Sequence, residues 1–191
     1  MEGIIKFKPQ WNALDSILKS EYEYVNPWRK LCYDKLYIGV GEDGIGYGNI
    51  SFRIGDSKKF IISGSATGNI SNLKKEHYSK VIDFDIEQNS LLCEGLNIAS
   101  SESLSHAAIY QINNGAKCVI HIHNNTLWKR NIEIIPTTDS TIEYGSVEMA
   151  KAISSLSKDK ERGTIIMGGH EDGIIVFGNS FEVCIELLES L

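Results

Sequence analysis

No run of apolar residues in this 191-residue chain approaches the ~20 that a membrane-spanning helix needs, and the N-terminal Met-Glu-Gly-Ile-Ile-Lys has no long apolar core of a signal peptide. Positive charge is also short. Nineteen Lys and Arg face 25 Asp and Glu, a net charge of −6, so no basic footprint points to nucleic acid or an anionic membrane surface. Only four cysteines occur (Cys32, Cys93, Cys118, Cys184), and no two form a Cys-x-x-Cys pair. That excludes a disulfide scaffold or a cysteine zinc ribbon and favours reduced thiols in the cytoplasm. Proline is limited to three positions, and low-complexity segments and repeats are missing, so the chain is expected to form one domain over residues 1–191.

Within that frame, His121 and His123 close the apolar run Cys118-Val-Ile-His-Ile-His123. Alternate residues of a strand share a face, so both imidazoles point the same way, as half of a tetrahedral zinc site would require. His170 stands in the turn Gly168-Gly-His-Glu-Asp-Gly173 between two more apolar runs, and Glu102 opens the helical stretch before the His-x-His strand. Three imidazoles and a carboxylate make a ligand set suited to catalytic zinc. His106 follows Glu102 by four residues, on the same helical face, and reads as a hydrogen-bonding partner of the site. His77, in Lys-Lys-Glu-His-Tyr, reads as a solvated helix residue.

Small residues form a second constellation. Gly48-Asn49, Ser63-Gly-Ser-Ala-Thr-Gly68 and Ser100-Ser101 supply backbone N–H groups, hydroxyls and a helix start, the parts of a phosphate pocket. Turn chemistry explains any one of these segments alone, but three of them beside a metal site favour phosphate. Other metal motifs fail on their residues. A nucleobase deaminase needs His-x-Glu with Pro-Cys-x-x-Cys, and a zincin needs His-Glu-x-x-His. A cupin would need a glutamate where Leu127 and Trp128 stand.

Periodicity predicts an amphipathic helix over about residues 9–20, then a second with Asn26 as cap and Pro27 at its first position. A hairpin of 47–54 and 59–63 follows, turning at Gly55-Asp-Ser-Lys58. A short helix over 73–81 is predicted, and strands over 81–86 and 91–93. Ser100 or Ser101 is expected to cap a helix ending at Asn113, and Ser146 to cap another through Leu156. Strands at 163–167 and 174–177 and a closing helix from Phe181 complete an α/β chain with a mixed, largely antiparallel sheet.

Taken in order, Gly48-Asn-Ile-Ser51, Ser63-Gly-Ser-Ala-Thr-Gly68, Ala99-Ser-Ser-Glu102, His106-Ala-Ala-Ile-Tyr110, His121-Ile-His123, Ile135-Pro-Thr-Thr138, Tyr144-Gly145 and Gly169-His170 resemble the class II aldolase/adducin family from about residue 10 onward. The resemblance implies an α/β/α sandwich around a nine-stranded, mainly antiparallel sheet, with zinc near a subunit boundary, usually in a cyclic tetramer. It implies that His121, His123 and His170 ligate zinc, while Glu102 is the acid/base and can also ligate the metal. It places a substrate phosphate at Gly48, Asn49, Thr67, Gly68, Ser100 and Ser101. The expected activity is cleavage of a small ketose phosphate through a metal-stabilised enediolate; a ketose-phosphate dehydratase is the alternative, and a non-catalytic adducin-like module a third. The chain departs from the aldolases in its short connection of twelve residues from His123 to Pro136, which lacks the family's leaving-group tyrosine, and in Glu171-Asp172 following His170.

Overall fold

The computed structural model describes residues 4–41 and 44–191. Eight strands form one sheet in the order β1-β7-β6-β5-β4-β8-β10-β9. They are β1 (Lys8–Asn12), β4 (Asn49–Arg53), β5 (Phe60–Ser63), β6 (Tyr78–Asp85), β7 (Ser90–Glu94), β8 (Cys118–His123), β9 (Gly163–Ile166) and β10 (Gly173–Gly178). All neighbours run antiparallel except β1 with β7, so the sheet is mixed and mainly antiparallel. A separate ribbon pairs β2 (Gly39–Val40) with β3 (Gly46–Tyr47), so the described sheet has one strand fewer than the nine expected.

Among the described residues five helices cover the sheet: α1 (Lys19–Asp34), α2 (Ser103–Ile112), α3 (Asn125–Asn131), α4 (Val147–Ser157) and α5 (Phe181–Glu189). Strand alternation divides the core in two. On one face Phe60, Ile62, Val119 and Ile175 pack with Leu104, Ala108, Met149 and Ile153 of α2 and α4. On the other, Ile50, Ile61, Ile120, Ile122 and Ile174 pack with Val25 and Cys32 of α1 and Phe181, Cys184 and Leu188 of α5. The result is an α/β/α sandwich, with β8 buried near its middle. All four cysteines are free and buried, and no helix among the described residues is long and apolar enough to cross a membrane.

Several local expectations are corrected. The segment expected as a helix over 9–20 begins instead as the exposed edge strand β1, where Pro9 is tolerated and Trp11 Nε1 donates to the carbonyl of Gly95. Helix α1 then starts at Lys19, where Glu21 accepts the N–H of Leu18, and it runs through Pro27. Burial of Val25 and Cys32 offsets a proline cost of about 3 kcal/mol. Asn26 is therefore no cap; its amide joins Tyr22, Asn72 and Tyr78. The helix expected over 73–81 is only a 3₁₀ turn, Lys75–His77, because Tyr78 and Val81 are drawn into β6. The N-cap of α2 is Glu102, which makes no side-chain cap; Ser100 Oγ accepts the N–H of Glu102 at 3.5 Å, just ahead of the first turn. The 55–58 hairpin, the Ser146 cap and the 163–177 strand pair form as expected.

Candidate active site

Strand β8 carries His121 and His123 on the face covered by α2 and α4, since Ile120 and Ile122 fill the opposite one. Its neighbours finish the arrangement. Asn49 of β4 lies in register with His121, and Gly173 of β10 lies opposite His123. The turn between β9 and β10 delivers His170. One nitrogen from each of the three imidazoles lies within 4.8 Å of the others. Ring centroids are 4.9 Å apart for His121 and His123, 5.2 Å for His121 and His170, and 4.6 Å for His123 and His170. Room for the His170 ring depends on the missing side chain at Gly173. A Cβ there would stand 3.2 Å from both Cγ and Nδ1 of His170.

His121 is fully buried, and burial, followed by the neighbouring His123 and His170, holds its imidazolium form well below the ordinary range. A neutral imidazole keeps a lone pair. Its Nε2 is buried with no hydrogen-bond partner, a cost that a bound cation would remove. Tyr144 stacks on His170 at 4.7 Å and 26°, and Lys6 sits 3.9 Å above the Tyr144 ring.

Glu102, at the start of α2, is only 2% exposed. Its Oε2 accepts a 2.7 Å hydrogen bond from Ser105 Oγ, and Oε1 is buried without a partner. His106, one turn on, does not join the three-histidine cluster. Its Nδ1 pairs at 2.6 Å with Ser51 Oγ, which also meets the Tyr110 hydroxyl at 2.8 Å. Burial pushes its pKa down to about 3, so it stays neutral. His77, expected as a solvated helix residue, is half-buried in the 3₁₀ turn, where Nδ1 accepts the N–H of Lys74.

The three small-residue segments meet at one cavity beside these groups. Its walls are Gly48 and Asn49, the loop from Gly64 to Gly68, Ser100 and Ser101, then Glu102, Tyr144 and His170. Every residue expected to touch a phosphate therefore lines it, and among the described residues no lysine or arginine does. Gly68 fits only as glycine, since a Cβ would run into the carbonyl of Gly39 and the backbone of Gly46. Ser105 and the Gly46 wall go beyond the residues read from the sequence. The available signal for Ser105 is its position three residues after Glu102, where helix geometry brings side chains together.

Residues 35–191 match the profile of the Class II Aldolase and Adducin N-terminal domain. The chain belongs to that family. Solved structures with the same fold include a sugar-phosphate aldolase from Thermotoga maritima, with 14% identity, a TM-score of 0.67 and 90% of each chain covered. An L-fuculose 1-phosphate aldolase shares 19% identity over 91% of this chain and 84% of its own, with a TM-score of 0.63. YgbL from Escherichia coli, for which aldolase, epimerase and decarboxylase activities are all open, shares 19% identity over 90% and 84%, with a TM-score of 0.65. No curated protein matches the sequence. As a family member, this chain has the class II aldolase architecture, with a three-histidine cluster able to hold a metal.

Proposed function

We propose that the protein is a zinc-dependent lyase that cleaves a small ketose phosphate into a ketone fragment and an aldehyde. The carrying observation is that His170, one of three clustered imidazoles, and Glu102, whose Oε1 has no partner, border one cavity, whose remaining wall is glycine, serine, threonine and asparagine with Ala66 and Tyr144. His121, His123 and His170 would hold the zinc, and an open position beside three protein ligands marks a catalytic rather than a structural site. When bound, zinc supplies a Lewis acid for the substrate's carbonyl and hydroxyl oxygens.

The chain's own groups account for the rest. Ser105 occupies one oxygen of Glu102 and leaves Oε1 to take and return a proton at the carbon next to the carbonyl. Asn49 contacts Nδ1 of His121 at 3.4 Å and also walls the cavity, so it links the metal ligand to the anion pocket. The amide nitrogen Nδ2 faces the ring here, and an imidazole that ligates through Nε2 donates Nδ1–H, so metal binding would call for the Asn49 amide turned over, with its oxygen, now unpartnered, towards the ring. The glycine-rich loop and Ser100-Ser101 would fix the phosphate end and so hold the reacting carbons at the metal. The family resemblance and the buried, unpaired cysteines support a cytoplasmic homo-oligomer, with a tetramer favoured.

One observation favours a second reading, dehydration of a ketose phosphate. The connection after His123 is taken up by α3, where Leu127 and Trp128 pack on the core and Trp128 Nε1 donates to the Met167 carbonyl. No tyrosine lies there to handle the proton that a hydroxyl loses as it becomes the departing aldehyde, whereas loss of a hydroxyl as water from the carbon next to the enediol does not call for that group. Metal analysis of the purified protein, then a panel of ketose phosphates, tests both. Aldehyde release supports the lyase, and water loss with the carbon chain intact supports dehydration. Folded protein with neither metal nor turnover would leave the adducin-like, non-catalytic reading.

A further inference from the structure

Arg29 lies in the middle of α1, is 0% exposed, and is paired with no carboxylate among the described residues. Its guanidinium instead meets four backbone carbonyls of a single loop. Nη2 donates to Thr67 at 2.8 Å and Gly68 at 3.3 Å, and Nη1 donates to Ile70 at 2.6 Å and Ser71 at 3.3 Å. Nε has no partner. Carbonyl dipoles solvate the cation but leave its net charge uncancelled, and a buried charge without a counter-charge is strongly disfavoured. Something must be gained by keeping it there.

The loop that Arg29 grips is the wall of the cavity. Thr67 and Gly68 line it directly, together with Gly64, Ser65 and Ala66. A trans peptide sends its N–H opposite to its C=O, so the carbonyls of Thr67 and Gly68 facing Arg29 turn the N–H groups of Gly68 and Asn69 away from it. The wall thus has the guanidinium behind it and amide hydrogens on its other side. Apart from His170, the only ionisable acid or base side chain of Asp, Glu, Lys, Arg or His type that bounds the cavity directly among the described residues is the carboxylate of Glu102, which repels anions.

We propose that the buried charge of Arg29 is the counter-cation of the cavity's anion, acting through one peptide layer, and that it makes the neutral wall selective for a dianionic phosphate ester over an uncharged hydroxymethyl end. Arg29 is thereby a positioning and selectivity residue that never touches substrate. This inference rests on the ketose-phosphate reading and deepens it.

The test compares zinc-loaded wild-type protein with Arg29→Lys, which keeps the charge, and with Arg29→Gln and Arg29→Met, two neutral replacements of different shape. Inorganic phosphate is the probe, its affinity read by calorimetry, with zinc content and circular dichroism checked for each protein. Phosphate binding should weaken about tenfold or more in whichever neutral variant folds, and by clearly less in Arg29→Lys, since a unit charge one peptide layer away acts strongly in a partly buried site. An uncharged ketose should bind equally to all of them. Equal weakening in the lysine and neutral variants would overturn the inference, because loss of a hydrogen-bonded brace alone predicts that pattern. Unchanged phosphate affinity in the neutral variants would overturn it too. If wild-type protein does not bind phosphate at all, the phosphate reading fails and takes this inference with it.

Discussion

Replacing Gly173 with alanine should weaken zinc binding without unfolding the protein. The new Cβ would stand 3.0 Å from the His170 carbonyl oxygen and 3.2 Å from Cγ and Nδ1 of its ring. Carbon atoms prefer separations of about 3.5–4.0 Å, so the ring must retreat by a few tenths of an ångström. Metal–ligand distances tolerate only about 0.2 Å, and disturbing the support of a ligand costs about 10–100-fold in affinity. A loss of that size is expected in competition with a chromophoric chelator. Stability should fall by at most about 2–3 kcal/mol, short of unfolding. Gly173 does not need a left-handed backbone, and its hydrogen bonds, to Met167 through its oxygen and to His170 through its nitrogen, do not involve a side chain. A strain of about 1–3 kcal/mol is partly offset by the ~0.4–1 kcal/mol that alanine gains by restricting the unfolded chain. His170→Ala sets the limit, because it removes one of three fixed ligands and should strip most of the zinc. Wild-type zinc affinity in Gly173→Ala would refute the claim that this gap seats the third ligand.

Glu102→Gln should retain zinc but lose turnover by about 10²–10⁴-fold, the range for a positioned acid/base, and near-normal activity would reduce Glu102 to a favourable charge at the start of its helix. Ser101→Ala should raise KM for a phosphorylated ketose while leaving an uncharged analogue almost unaffected; identical changes for both would remove Ser101 from the anion pocket. Stability should also fall as pH drops from about 6.5 towards 3. In that window the unfolded chain protonates His106 and the folded chain does not, giving up to about 1.4 kcal/mol per pH unit. Urea unfolding at two pH values checks this, since His106→Gln should flatten the slope by that amount and an unchanged slope would refute it.

Those residues differ in how plainly the amino-acid sequence marks them. His121 and His123 are legible because strand alternation is a strict rule, and an apolar run with two polar interruptions at even spacing has one reading. The hairpin at 55–58 and the Ser146 cap are legible for the same reason, as local chemistry with local consequences. Where tertiary contacts decide, the pattern misleads. Trp11, Leu14, Ile17 and Leu18 mimic a helical stripe, yet only Ile17 is buried, and residues 8–12 pair with β7. Pro27 resembles a helix start because its local penalty shows in the sequence and the burial of the surrounding turns does not. Arg29 is hidden as a site residue, since a helical arginine is ordinarily solvated. The one available clue is its place among Val25 and Cys32, on the stripe that α1 buries.

The family match assigns architecture and a metal-capable cluster, but the choice of reaction turns on what lies around them. Glu102 and the histidines sit on α2, β8 and the β9–β10 turn, each held by the sheet or by buried hydrogen bonds, so the proposed acid/base and metal ligands are rigidly placed. A group to handle the proton of the aldehyde-forming hydroxyl has no counterpart in the segment 124–135, which folds down as α3 and directs its indole to Met167. Tyr144, the aromatic hydroxyl nearest to that role in sequence, walls the cavity and stacks on His170. Removing its hydroxyl separates the two reactions. Tyr144→Phe keeps the stack on His170, so metal binding should stay within about twofold of wild type. If Tyr144 handles the proton that the hydroxyl loses as it becomes the aldehyde, carbon–carbon cleavage should drop by about 10²-fold or more while exchange of the ketone fragment's α-proton with solvent continues through Glu102. Full cleavage activity in Tyr144→Phe would exclude it from that role, and water loss without cleavage in both proteins would settle the site as a dehydratase.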